Sequence, residues 1–167
     1  MKIRWWISAF AFAALLAGPA LAQQASAPPA PPPAYGPPIT LEQAKKVMAA
    51  AEAEAKKAPF PVAIYIVEPS GEMVMMERMD NTQYGSVALA QKKAETAAMF
   101  KRPSQALEDR VQDKVYLLTL GAPTVVGGGL PIMEHGKIIG AIGVSGSPGS
   151  AQDGQVAKAG IEALNKK

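Results

Sequence analysis

The sequence predicts an α+β domain, with helices packed on an antiparallel sheet. Apolar periodicity orders the elements as α-β-β-α-α-β-β-α, so strands arrive as neighbouring pairs instead of alternating with single helices. The C-terminal third places two short apolar runs around the polar turn Glu134-His135-Gly136-Lys137, a β-hairpin pattern. The chain has no cysteine, so an ordinary hydrophobic core must hold the fold. Residues 39–167 are long enough to build one, at the common domain size of roughly 100–150 residues.

The chain opens with Lys2 and Arg4, an apolar run from Trp5 to Ala17, then Gly18-Pro19 and the small residues Ala20-Leu21-Ala22. This is the layout of a secretory signal peptide over residues 1–22, with cleavage after Ala22. The run is short for a membrane span, which needs roughly 20 apolar residues. A periplasmic or secreted protein without a membrane span after cleavage is expected. Cleavage removes two of the 17 basic residues, leaving 15 against 14 acidic ones and a net charge of +1. No basic run with interleaved aromatics is present, which excludes nucleic-acid binding. Residues 23–38 are rich in alanine and proline and read as an extended or disordered linker. The domain follows over 39–167.

Thr40 and Gln43 form a capping-box pattern at the start of the first helix. Leu41, Ala44, Val47, Met48, Ala51 and Ala55 fall on one face of it, and Pro59 and Pro61 end it. Residues 62–67 are apolar on both faces, as in a central covered strand. The turn 68–71 leads into a second strand over 72–79, antiparallel to the first. A loop over 80–85 precedes a helix that Ser86 can cap, running to about Lys101. Val87, Ala90, Ala94 and Ala97 give it a narrow stripe of small residues, suited to close packing against a sheet or a second copy. Pro103 stops this helix and Ser104 begins a short one. Residues 114–126 show no clear pattern. The hairpin follows, and residues 152–165 read as a last helix. Gly140, Gly143 and Gly146 in the hairpin's second arm imply close approach of a helix, another subunit or a flat ligand.

Several chemistries are excluded. Gly127-Gly128-Gly129 leads into a strand, not into a helix with a following lysine, so it is not a phosphate loop. No zinc motif or nucleophile elbow occurs, and Ser145 has no nearby histidine to activate it. His135 is the single histidine; one imidazole suffices as an axial haem ligand, but it falls in a turn, where side chains face water. Methionines 48, 73, 75, 76 and 79 offer soft thioether ligands, Met48 being the other candidate for a metal. Their alternation along a strand splits any single site and suits core packing better. Arg78 and Asp80, at a strand end, read either as a pair gripping a carboxylate or as a structural ion pair. Lys93 and Thr96 are one helical turn apart and, with Gly127, Gly128 and Gly129, could line one cavity.

Taken together and in order, Arg78-Met79-Asp80, Lys93-Ala94-Glu95-Thr96-Ala97, Gly128 to Ile132, Gly140 to Gly146 and Gln152-Asp153 resemble the GlcG/HbpS-like haem-binding family. The same stretch is similar to the C-terminal domain of the PduO-type corrinoid proteins. The resemblance covers about Ile39 to Leu164. It implies a five-stranded antiparallel sheet between helices in α-β-α layers, profilin-like, and assembly into a closed homo-oligomer. It also implies a small-molecule ligand, haem or a related tetrapyrrole, or else a corrinoid or no cofactor, for storage, sensing or transport rather than turnover. The expected ligand site comprises Arg78, Asp80, Lys93, Thr96, Gly127, Gly128 and Gly129, with no catalytic residue. Iron ligation in the family is tied to a histidine on the first helix, and Thr40 to Lys57 has none. The competing reading is an enzyme or accessory factor for a small organic acid such as glycolate, with Arg78 as carboxylate clamp and Asp80 or Lys93 transferring a proton. The partner protein stays unidentified.

Overall fold

A computed structural model describes residues 30–165; the signal peptide expected over 1–22 and the expected linker up to residue 29 lie outside the described residues. The elements are α1 (Leu41–Ala55), β1 (Ala63–Val67), β2 (Met73–Arg78), α2 (Tyr84–Phe100), α3 (Gln105–Val111), a 3-10 helix (Val115–Thr119), β3 (Gly129–Glu134), β4 (Lys137–Ser145) and α4 (Ser150–Asn165). The strands form one antiparallel sheet in the order β2-β1-β4-β3.

The capping box is formed: Thr40 Oγ1 accepts from the Gln43 backbone N–H, and the Thr40 N–H donates to Gln43 Oε1. That satisfies two backbone donors that a helix start leaves free. The β3–β4 turn puts both His135 (φ 48) and Gly136 (φ 74) at positive φ, the backbone of a tight two-residue hairpin turn.

β1 alternates between two layers. Ile64 and Ile66 join the core made by α1 and α4, with Val47, Met48, Ala51, Val156 and Ala157. Ala63, Tyr65 and Val67 face α2, where Ala90, Ala94 and Ala97 are fully buried. The small-residue stripe is therefore spent inside the chain and is not a free surface for a second copy. Gly143 shows the reason: a Cβ there would run into Ala90 O and Ala94 N, so α2 rides directly on the backbone of β4.

Among the described residues the sheet has four strands, not five. Residues 114–126 hold only the 3-10 helix and irregular chain. The edge strand β3 is also a poor template for a fifth. Gly128 bonds Val144 on β4, so by alternation Pro131 presents its N atom outward, where it has no hydrogen to donate. A further contact involves the end of the linker: Ala34 and Gly36 exchange backbone hydrogen bonds with Ile138, and the Tyr35 hydroxyl donates to Ala98 O. Helix α2 begins at Tyr84, two residues before Ser86. Ser86 is buried and accepts from the Gln83 side chain instead of capping the helix.

Candidate functional site

The residues expected to line one cleft fall into two places, both at the end of the sheet where Ala63 of β1 pairs with Arg78 of β2 and Ser145 of β4. The first place is closed. Lys93 is 1% exposed; its Nζ donates to Asp153 Oδ2 at 2.7 Å and to Val144 O at 3.0 Å. Asp153 is buried too, and its Oδ1 accepts from the Ser147 N–H and hydroxyl. Gly128 and Gly129 are packed over this pair: a Cβ on Gly128 would press on Asp153 and Lys93 Nζ, and one on Gly129 would strike Lys93 O. The Gly129 N–H donates to Ser104 Oγ, and the Gly127 N–H to Glu108 Oε2. Thr96 Oγ1 donates to Thr124 O. Lys93 thus meets Gly128 and Gly129 as expected, but as a buried ion pair under a glycine lid, with every named group engaged by protein.

The second place is open. Arg78 is exposed and borders two adjoining clefts. One, of about 420 Å³, is lined by Glu52, Lys56, Glu77, Arg78, Met79 and Asp80. The other, of about 380 Å³, is lined by Arg78, Asn81, Thr82, Gln83 and Tyr84. Both are in the size range of small-molecule sites, roughly 300–1,000 Å³. Arg78 and Asp80 share a cleft without forming an ion pair, and among the described residues Arg78 has no carboxylate partner. Its guanidinium lies 5.5 Å from the centre of the Tyr84 ring, a cation–π contact. The loop is pinned from below by Thr82, whose hydroxyl donates to Val62 O and Met79 O. Helix α2 starts at this loop with neither a side-chain cap nor an acidic residue in its first turn, which leaves its positive end uncompensated.

Two carboxyl groups in the larger cleft differ in character. Hydrogen bonding to Lys56, its ion-pair partner, lowers the pKa of Glu52. Burial, and then the charge of neighbouring Glu52, raises that of Glu77. Glu77 is the carboxyl group beside Arg78 that is shifted toward its protonated form, whereas the sequence placed proton transfer on Asp80 or Lys93. Its signal was faint: a lone glutamate among methionines on an edge strand.

The candidate metal ligands are placed apart. Met48 is sealed in the core at 1% exposure. His135 is exposed at the hairpin tip, beside Met133, Glu134, Leu164 and Asn165. The tip lies at the far end of β4 from Arg78, about 26 Å away along eight residue steps of roughly 3.3 Å each. Among the described residues no cluster of three His, Cys, Asp or Glu is arranged to hold a metal ion.

Residues 39–162 match the family described as haem-degrading protein HbpS-like. The chain belongs to that family. GlcG of Escherichia coli strain K12 is 36% identical over 108 residues, covering 64% of this chain and 81% of GlcG. A crystal structure of a double mutant of Streptomyces reticuli HbpS superposes with a TM-score of 0.72 at 30% identity, covering 84% of this chain and 98% of the other. A structure of a PduOC–haem complex superposes with a TM-score of 0.70 at 29% identity, covering 77% and 96%. In this HbpS-like chain, the motifs around Lys93, Gly128 and Asp153 build the scaffold, and Arg78 stands clear of it.

Proposed function

We propose that this HbpS-like protein is exported and binds haem or a related tetrapyrrole at the Arg78 clefts, for storage, sensing or transport. The observation that carries the reading is Arg78 itself: a cation without an ion-pair partner among the described residues, set against an exposed aromatic ring, in a chain whose structural neighbours include a haem complex. The residues fit the group in two respects. A guanidinium grips a carboxylate such as a propionate through two parallel hydrogen bonds. The uncapped start of α2 adds positive potential on the same side. Bound haem would supply the iron; the protein's part is to hold and orient it. Export rests on residues 1–22, and mass spectrometry of the exported protein beginning near Gln23 is the expected outcome. Self-association fits the outer edge of β2, which has no strand partner among the described residues. Light scattering should give a mass above that of the monomer.

Haem titration of the purified protein tests the reading. A saturable Soret shift is expected, weakened in Arg78→Ala and unchanged in His135→Ala. Stable absorbance after reduction indicates holding; progressive bleaching indicates degradation.

One observation favours a second reading, action on a small organic acid. Glu77, whose pKa is raised by burial and by Glu52, lines the same cleft as Arg78, which pairs a candidate general acid with a carboxylate clamp. Thermal stabilisation by glycolate or similar carboxylates, without any Soret shift, would select it.

A further inference from the structure

We propose that Met73 and Met76 form a soft-metal site on the open face of β2, holding a monovalent copper ion, Cu(I), between their two thioether sulfurs. Strict alternation along a strand would send these side chains to opposite faces, since they stand three residues apart. The structure does not alternate there. The β1–β2 register shifts between Ile66 and Val67: Ile66 pairs with Met75 but Val67 with Met73, so Val74 is the extra residue of a β-bulge. A bulge re-aims a side chain next to it. Met73 stands opposite Val67 and Met76 opposite Tyr65, and those two β1 residues both face α2. The two methionines are thus neighbours on one face, roughly 7 Å apart by two residue steps of about 3.3 Å.

The other methionines of this stretch turn away. Met75 and Met79 pack, with Val74, against the core shared by α1 and α4. Met73 and Met76 are 58% and 39% exposed, because α2 lies over β1 and β4 and leaves this face of β2 uncovered. An unbranched side chain with three rotatable bonds lets both sulfurs swing onto one ion. Thioethers are soft ligands that select Cu(I) over harder divalent ions. Negative charge lies close by. Burial first, then the charges of Glu95 and Glu72, raise the pKa of Tyr65, which places both carboxylates around the residue opposite Met76. No redox step is involved: the ion arrives as Cu(I) and exchanges its ligands for the two sulfurs.

The test titrates the full mature chain with Ag(I), a soft monovalent ion of fixed oxidation state, in chloride-free buffer. A second titration uses Cu(I) under a reductant against a competing chelator. Methionine-methyl NMR reads which sulfurs respond. In the wild type, one ion per chain should shift the Met73 and Met76 signals together. Met73→Leu and Met76→Leu should each bind at least about tenfold more weakly, with an unchanged melting temperature because both side chains are exposed. Met75→Leu and Met99→Leu should bind as the wild type does. Equal loss in Met75→Leu would mean that the methionine-rich sequence binds without regard to the bulge, and equal loss in Met99→Leu that any exposed thioether suffices. Either result overturns the site, as does full affinity in Met76→Leu or a wild type that binds neither ion. The haem titration is independent of these outcomes, so each reading can fail alone.

Discussion

Two cations sit at the same end of the sheet and meet opposite fates. Lys93 is buried and locked to Asp153 and Val144 O, while Arg78 is exposed, lies against the Tyr84 ring and forms no ion pair among the described residues. Both fall in family-like motifs, and both look like ligand-binding cations in the sequence. The difference is one of solvent. A buried lysine is costly unless a carboxylate and further hydrogen bonds meet it, and here they do, so its role is structural. An exposed arginine costs nothing to leave unpaired and stays available to a ligand. A motif marks where the chain is constrained; burial decides what the constraint is for.

The comparison breaks most visibly at Lys93. Lys93→Ala leaves the Asp153 carboxylate buried without its counter-ion and should destabilise the domain by about 3–5 kcal/mol. Chemical denaturation is the measurement, and Lys93→Ala as stable as wild type would show that the pair is not structural. Next in size is Arg78→Ala, which should lower ligand affinity by about 1.5–3 kcal/mol if a charge-assisted contact is lost. Its stability should move by no more than about 0.5 kcal/mol, as for most surface changes. The two variants therefore exchange roles: one loses stability, the other loses binding. Arg78→Lys sharpens this further. An ammonium keeps the charge but not the planar fork or the stack, so titration should recover only part of the lost affinity.

The smallest effect is a pH dependence at Glu77. Its folded pKa is raised, by burial first and by Glu52 second, so the folded state binds its proton more tightly than the unfolded one. The associated stability is complete below the usual glutamate range and is lost as pH rises through the raised value. Glu77→Gln should flatten that part of the stability–pH curve, read by thermal melts across mildly acidic pH. Glu52, whose pKa is lowered, contributes with the opposite sign, so its stabilisation is lost as pH falls.

Much of the fold was legible because it rests on local signals. The Thr40–Gln43 box, the prolines after α1 and the His135-Gly136 turn each act within a few residues, and the structure has the helix and hairpin they imply. The strand count was not legible, since it depends on whether residues 114–126 find a partner edge, and Pro131 denies them one. Nor could the sequence show that α2's alanines would be used up against β1 and β4, because a small-residue face suits a sheet and a second subunit equally. At the site, Arg78 and its loop were visible as a strand end. The pairing of Lys93 with Asp153, 60 residues later, was not, because nothing local links them.

Pro131 has a consequence beyond the single chain. Along β2, Met79 N bonds Val62 O, so by alternation Met76 and Arg78 turn their backbone groups outward, free to pair. Along β3, the corresponding position is a proline. If two copies join through β2, the enlarged sheet ends in β3 on both sides, and neither end can recruit another strand. The sheet has a valence of one: edge pairing stops at two copies, and runaway strand addition, the usual hazard of an open edge, has no second site from which to continue.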